Sequence, residues 1–348
     1  MVKVSKYNNF EHPVLWGNGL LGIGIFFLII LSNHPIQAQE KPFEGFTWKN
    51  VEAKGEVVGR HENAFVKFQD KFYLIGGRGI NPVNVFDPKT NQWETKGKTP
   101  LEIHHFQPVV YNDAIYFVGA MTGKYPVETP LENIWMYYPK KDKWEKGPNI
   151  PKEIQRGGAG VVIRNDKIYV ACGIDLGHTS GTNNSFDSFD LKTSTWTRLT
   201  KAPHIRDHFS AVLVNDKLYL IGGRNTSEHH EDNFAAFFGA TTPEVDVYDF
   251  SSEKWITLKA PLSVPTAAGS VVNVGQYILY AGGESNQPKA HNQTQCLDTK
   301  TGDWIELATL NIGRHGSHAI VHEGNVYIAA GSPNRGGGNM GSIEVFSK

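Results

Sequence analysis

Short apolar runs recur along the chain, and the segment 206–223 shows their arrangement most clearly. Two runs rich in valine, leucine and tyrosine, Ser210–Val214 and Lys217–Ile221, flank the dipeptide Asn215-Asp216 and are followed by Gly222-Gly223. An Asn-Asp step is typical of a tight turn, and a glycine pair is typical of a strand end. The segment therefore predicts a β-hairpin.

Five other segments repeat this hairpin. Their glycine pairs, intact or altered, are Gly76-Gly77, Gly119-Ala120, Cys172-Gly173, Gly282-Gly283 and Ala330-Gly331. After every pair but the last, a tryptophan follows an acid or a tyrosine at a fixed spacing: Asp87 and Trp93, Tyr138 and Trp144, Asp190 and Trp196, Asp249 and Trp255, Asp298 and Trp304. A period of about 50 residues with four short strands per unit is typical of a β-propeller blade. Six pairs predict an all-β, six-bladed propeller.

The last repeat ends before it reaches its tryptophan, and the missing piece stands near the other end of the chain as Phe46-Thr47-Trp48. We expect this N-terminal strand to complete the sixth blade and to close the ring, which removes exposed sheet edges. A linear solenoid is the alternative, but it needs polar capping repeats, and the sequence shows none.

The residues before the repeats predict export. Lys3 and Lys6 precede an apolar run, 20–31, and the segment 36–38 supplies a cleavage site. A run of this length is short for a membrane span and is typical of a signal peptide. We therefore expect a signal peptide at 1–38 and a propeller domain at 39–348, with a periplasmic or secreted location; an uncleaved anchor is the alternative. The net charge of −1 gives no reason to expect nucleic acid or a membrane surface as a partner.

Arginine and histidine collect at equivalent positions of the repeats. The position 17 residues before the second residue of each pair, here called the arginine position, holds Arg60, Ile103, Arg156, Arg206, Thr266 and Arg314. Arg78, Arg224 and Arg335 follow glycine pairs, and His61, His104, His105, His208 and His315 stand just after the arginine position. The arginine position and these histidines stand where the innermost strands begin. The arginines after the glycine pairs lie on the same face, which also carries the loops of variable length. Planar guanidinium groups around such a mouth suit a carboxylate or a sulfate.

Two other interpretations of these residues stay open. An arginine at the start of an inner strand can instead cap carbonyls or pair with an acid between blades. His61, His104 and His315 come from neighbouring blades and could form a three-histidine metal site. Because no carboxylate or cysteine ligand pattern accompanies them, we expect no metal and no cofactor. The sequence also lacks a nucleophile elbow, a phosphate loop and a dinucleotide fingerprint.

The glycine pairs, the acid–tryptophan steps and Arg206-Asp207-His208 resemble the kelch family over nearly the whole chain after residue 38. Among exported bacterial members, the chain is similar in size and blade number to sialic-acid epimerases (mutarotases). Propeller-fold polysaccharide lyases of the ulvan type are a further likeness, and they place histidine, tyrosine and arginine at the channel mouth. The kelch motif implies a fold and leaves the chemistry open.

These observations together predict a carbohydrate-active propeller whose ligand is an acidic oligosaccharide or a sugar acid. We expect proton abstraction and β-elimination, as in a lyase or dehydratase acting on uronic acid. The expected catalytic residues are His208, His105, Arg206 and Tyr125, and the expected substrate-binding residues are Arg60, Arg156, Arg314, Arg78, Arg224, His61 and His315. A sialic-acid epimerase or mutarotase, and a non-catalytic glycan- or protein-binding propeller, are the alternatives. We expect a monomer.

Overall fold

Each of the six repeats folds into one four-stranded antiparallel sheet, and the sheets form the blades of a propeller. The computed structural model describes residues 42–348. The predicted signal peptide, 1–38, lies outside the described residues. Strands of blades one to three are Asn63–Phe68, Lys71–Gly76, Pro82–Asp87 and Gln92–Lys98; Val109–Tyr111, Ala114–Phe117, Asn133–Tyr138 and Lys143–Asn149; and Gly160–Arg164, Lys167–Gly173, Asn183–Asp190 and Thr195–Arg198. Strands of blades four to six are Ser210–Val214, Lys217–Ile221, Asp246–Asp249 and Lys254–Thr257; Ser270–Val274, Tyr277–Ala281, Thr294–Asp298 and Trp304–Leu307; and Ala319–His322, Asn325–Ala329, Ile343–Ser347 and Thr47–Asn50.

Only short elements interrupt this pattern in the described part of the chain. A two-stranded ribbon, Met121–Thr122 with Thr129–Pro130, extends blade two, and a 3-10 helix, Phe234–Gly239, lies in the long loop of blade four. No helix of the described residues is both long and apolar enough to cross a membrane. The all-β, six-bladed architecture is confirmed.

The N-terminal strand closes the ring as predicted. Thr47–Asn50 pairs antiparallel with Ile343–Ser347, so that Trp48 stands opposite Phe346. Trp48 is buried, and its indole Nε1 donates to the Thr294 hydroxyl of blade five at 2.9 Å. The strand therefore completes blade six and also contacts the neighbouring blade.

The core lies between the blades, where the faces of adjacent sheets pack together. Phe186 of blade three, for example, contacts Tyr248 and Trp255 of blade four at ring-centroid distances of 4.9 and 5.2 Å. The aspartates of the acid–tryptophan steps form turns, because the carboxylate of Asp249 accepts the backbone N–H of Ser251 at 2.8 Å. These acids and tryptophans are structural.

A closed circle of backbone hydrogen bonds surrounds the channel where the innermost strands begin. Each blade contributes one residue whose φ is positive, between +50° and +67°, and these residues are Glu62, His105, Gly158, His208, Ala268 and Gly316. The amide of each residue from His105 onward donates to the carbonyl of the ring residue in the preceding blade, and Asn63 N closes the circle on Gly316 O at 3.2 Å. We call these six residues the channel ring. A left-handed backbone is unfavourable for most side chains. Because all six blades adopt it at the same position, the fold maintains a narrow ring around the channel.

Candidate functional site

The arginine position does not provide an anion clamp, and this corrects the predicted roles of Arg206, Arg60, Arg156 and Arg314. All four side chains are buried and point into their own blades. Arg206 Nη2 lies 2.7 Å from Asp246 Oδ2, and its Nη1 donates to the carbonyls of Gly222 and Glu244 at 3.0 Å each. A guanidinium so enclosed has no free donor fork for a ligand.

The other three arginines follow the same rule. Arg156 pairs with Asp187 at 2.9 Å, Arg314 pairs with Glu344, and Arg60 donates to Asn84 and to the Pro82 carbonyl at 2.5 and 2.8 Å. In each case the partner side chain is on the third strand of the same blade. The arginine therefore joins the loop before the first strand to the interior of its own blade. This agrees with the alternative that these arginines cap carbonyls and pair with acids, except that the pairs form within blades and not between them.

Three histidines from three blades meet at the channel mouth. His105 and His208 belong to the channel ring, and His178 lies in the loop between the second and third strands of blade three. Their rings lie 4.7 to 5.2 Å apart, and one ring nitrogen of each lies within 4.8 Å of those of the other two. All three side chains are buried. We call these residues the histidine cluster.

Hydrogen bonds determine which nitrogen of each cluster histidine carries its proton. His208 Nδ1 lies 2.5 Å from Asp207 Oδ1, and His178 Nδ1 lies 3.1 Å from Glu128 Oε2. Both carboxylates accept, so both Nδ1 atoms donate. The two Nε2 atoms then carry lone pairs, and that of His208 is buried with no hydrogen-bond partner among the residues that the structure describes.

His105 has the same tautomer for a less direct reason. His104 Nε2 lies 3.0 Å from the Gly123 carbonyl, so in the neutral ring it donates there and its Nδ1 is an acceptor. His105 Nδ1 lies 2.6 Å from that acceptor and therefore donates to it. The Nε2 of His105 is thus the third lone pair of the histidine cluster.

Burial favours the neutral form of two of these imidazoles. Desolvation lowers the pKa of His178 to about 4 and lowers the pKa of His105 well below its ordinary value. Burial would raise the pKa of Glu128, but its contacts with His178 and Arg78 outweigh burial and hold that pKa at about 2. His105 and His178 are therefore neutral rings, and an ionised carboxylate supports His178.

An open cup of about 550 Å³ lies on the same face. His61, Arg78, Glu102, Lys124, Tyr125 and Phe238 line it. Tyr125, half exposed, joins the cup to the histidine cluster, because its ring lies 5.0 Å from that of His178. Arg78 contacts Glu128 at 2.6 Å and is partly exposed, whereas Lys124 is exposed. The cup thus combines two cations, a phenol and an apolar wall.

The long loop of blade four provides the apolar wall. Its 3-10 helix places Phe237 and Phe238 over the guanidinium of Arg224, at 4.9 and 5.0 Å from the ring centroids. Arg224 is buried and pairs with Glu284 at 2.5 Å. Its predicted contact with substrate is therefore corrected as well, because the aromatic rings and Glu284 enclose it.

The remaining predicted histidines lie apart from the histidine cluster. His61 Nδ1 contacts Asn339 Oδ1 at 2.8 Å and borders the cup. His315 is buried between Glu284 and Glu62, at 3.3 and 3.6 Å. Burial alone would lower the pKa of His315, but the carboxylates of Glu284 and Glu62 raise it. The ring centroids of His61 and His315 lie 6.2 Å apart. Among the described residues, however, only His105, His178 and His208 form a group whose side chains could hold a metal ion together.

The structure brings His105 and His208 together and places Tyr125 next to His178, but the sequence did not identify the groups that support the histidines. His178 and Glu128 lie in loops of irregular length, so no repeat position identifies them. Asp207 directly precedes the ring residue His208, and Glu62 is itself a ring residue, so their repeat positions could have identified them.

Comparisons with known proteins agree with this architecture. A profile of the KLHDC2/KLHL20/DRC7 Kelch-repeats domain matches residues 146–331, more than half of the chain. Kelch-like protein terF of Aspergillus terreus is 26% identical over 85% of this chain, which spans 66% of that protein. Kelch-like protein 40 of Xenopus tropicalis is 27% identical over 53% of this chain, which spans 30% of that protein. The solved structure of YjhT superposes with a TM-score of 0.69 over 83% of this chain and 95% of YjhT, at 18% identity, a likeness of fold alone.

Proposed function

The chain belongs to the kelch-repeat family, whose fold hosts different functions, and we propose from its own channel mouth that it is an exported, carbohydrate-active enzyme. Its substrate is an acidic oligosaccharide or sugar acid, and its reaction is proton abstraction followed by β-elimination. The observation that carries this proposal is the histidine cluster, in which three imidazoles direct their Nδ1–H groups to outer acceptors and leave their Nε2 atoms free, beside a cup that contains cations. Export and a periplasmic or secreted location rest on the residues 1–38.

The cations of the cup are suited to the first requirement of the reaction. The proton on the carbon beside a uronate carboxylate is only weakly acidic until the negative charge that develops there is neutralised. Arg78 and Lys124 border the cup and take the role that the sequence had suggested for the arginine position. Fixed positive charge near a developing enolate is among the largest contributions to catalysis.

His208 is the proposed proton acceptor. Asp207 holds its Nδ1–H, so the Nε2 lone pair is oriented and is not used by another protein group in the described part. The carbon–hydrogen bond breaks toward this nitrogen, its electrons form a carbon–carbon double bond, and the carbon–oxygen bond on the next carbon breaks. Tyr125 donates its hydroxyl proton to the departing oxygen.

The reaction is tested with uronate-containing oligosaccharides, by following the ultraviolet absorbance of the unsaturated product. We expect His208→Ala to lower turnover by about 10²–10⁴-fold and to leave binding of the oligosaccharide largely intact. His230→Ala, at an exposed position of the long loop in blade four, is the matched control.

Two results would contradict the proposed reaction. Accelerated anomeric exchange of sialic acid without any unsaturated product would favour the epimerase or mutarotase alternative. Binding of acidic glycans with no turnover of either kind would favour the non-catalytic alternative.

A further inference from the structure

The free nitrogens of the histidine cluster pose a problem that the proposed reaction does not solve. One nitrogen of each ring lies within 4.8 Å of those of the other two, and each ring in its neutral form has already used its single N–H on an outer acceptor. Lone pairs brought together without a donor repel one another. The Nε2 atom of His208 is also a buried acceptor with no partner among the described residues, which costs free energy. A positively charged occupant removes both penalties.

The surroundings of the cluster match those of a metal site. Histidines that bind a metal typically donate their other N–H to a carboxylate or a carbonyl, which fixes the tautomer and orients the ring. Asp207 supports His208 in this way, and Glu128 supports His178, both as buried acids. His104 supports His105 and is itself held by the Gly123 carbonyl.

A carboxylate also stands beside the free face of His105. Glu62 is the channel-ring neighbour of His105, and its Oε2 lies 3.5 Å from His105 Nε2. A carboxylate oxygen at this position adds a further acceptor, and no donor, to the free side of His105.

We infer that the histidine cluster binds one divalent transition-metal cation of the zinc class through the Nε2 atoms of His105, His178 and His208. Three imidazoles with one open or carboxylate position form a typical zinc donor set, and imidazole nitrogen also suits copper, nickel and iron. This inference departs from the sequence, which gave no reason to expect a metal. The three ligands of the site differ from the group His61, His104 and His315.

Cation binding stands on the geometry alone, whereas its use in catalysis rests on the proposed function. A bound cation would occupy the lone pair of His208, so the three histidines would hold the metal and the metal would supply a bound hydroxide as the proton acceptor. Metal coordination lowers the pKa of a bound water to about 7, which suits a base at neutral pH. His208 then acts on the substrate by holding the metal.

The inference is tested on the full chain after removal of metal by a chelator. Zn²⁺ is titrated by calorimetry, and Co²⁺ is titrated as a spectroscopic probe. We expect one equivalent of Zn²⁺ to bind, the visible absorption of a four-coordinate Co²⁺ centre to appear, and the melting temperature to rise with Zn²⁺, because a ligand specific for the folded state stabilises it.

Variants separate binding by the cluster from adventitious binding. His178→Ala and His208→Ala should abolish the Co²⁺ spectrum, and Asp207→Asn and Glu128→Gln should weaken Zn²⁺ affinity by about 10–100-fold. His230→Ala, an exposed histidine outside the cluster, should leave binding unchanged. The two carboxylate variants keep all three ligands and provide the test if a histidine variant fails to fold.

Failure of the inference and failure of the proposed function have different signatures. Wild-type protein that binds no Zn²⁺ beyond the level of His178→Ala, or binding that survives all cluster variants, overturns the inference. Turnover that persists after a chelator has removed the bound metal overturns the catalytic use of the metal and sustains the reaction. Specific Zn²⁺ binding without any turnover of acidic sugars sustains the inference and overturns the reaction.

Discussion

At the scale of single residues, the burial of a histidine beside the channel makes the stability of the protein depend on pH. His318 borders the narrow part of the channel, and its Nδ1 lies 3.0 Å from the Asn63 carbonyl. Burial lowers the pKa of His318 to about 4, although the Asn63 carbonyl and Glu62 favour the charged ring. An exposed histidine titrates near pH 6.5, so folding holds this ring neutral where the unfolded chain would bind a proton.

The protein should therefore lose stability as the pH falls. The free energy of unfolding should be highest above about pH 6.5 and should fall as the pH drops from there to about 4, where the folded state also takes the proton. Because the ring is only partly buried, we expect His318 to contribute about 1–2 kcal/mol of this loss. Urea denaturation at several pH values should show a shallower slope for His318→Gln than for the wild type. Equal slopes would remove His318 as a source of acid sensitivity.

At the scale of the element, the arginine position works as an internal clamp. Arg206 in blade four joins the loop before the first strand to Asp246 on the third strand and to two carbonyls near the strand ends. Arg156 and Arg314 repeat this with Asp187 and Glu344. A buried ion pair contributes little relative to a well-packed apolar pair, but breaking one partner leaves an uncompensated charge.

Arg206→Ala should therefore destabilise the protein by about 3–5 kcal/mol, because it leaves the Asp246 carboxylate buried in the blade without its charged partner. Arg206→Lys should restore part of that loss and leave ligand binding per folded molecule unchanged. Arg335→Ala, at an exposed arginine on the same face, is the control and should change stability little. Denaturation curves and glycan binding are measured in parallel. If stability were unchanged and glycan binding were weakened, Arg206 would be a ligand-binding residue and not a structural one.

The contrast between Arg206 and His208 shows what a repeat can and cannot predict. Spacing alone placed both residues at the start of an inner strand, and both are there. It did not indicate that one side chain points into the blade while the other faces the channel, because that depends on φ at His208 and on the acid at Asp246. His178 could not be aligned at all, since its loop has no counterpart of equal length. The fold was predictable because every blade repeats it, whereas each functional group occurs only once.

At the scale of the whole molecule, the ring is held closed by one short strand. Thr47–Asn50 supplies the outermost strand of blade six, and Trp48 packs on Phe346 at a ring-centroid distance of 5.3 Å. The indole also reaches Thr294 in blade five. The stability of the ring therefore depends on a side chain far in sequence from its contacts.

Trp48→Ala should cost about 3–5 kcal/mol, as for other buried tryptophans, and should lower the melting temperature of the whole propeller in one transition. Lys49→Ala in the same strand removes only an exposed contact with the Lys348 carbonyl and should have little effect. Differential scanning calorimetry distinguishes the two variants. An unaltered melting temperature for Trp48→Ala would mean that this strand does not hold the ring closed.

The channel ring also restricts which amino acids can bring chemistry to the centre. Its backbone is left-handed at all six positions, a conformation that glycine, asparagine, aspartate and histidine accept more readily than β-branched residues do. Fewer amino acids are therefore tolerated at these sites, and the polar ones among them are also able to transfer protons or to bind ligands. Ala268 already bears a Cβ at such a position without a polar group, so its replacement by histidine or asparagine would add a functional group to the channel without a new backbone conformation.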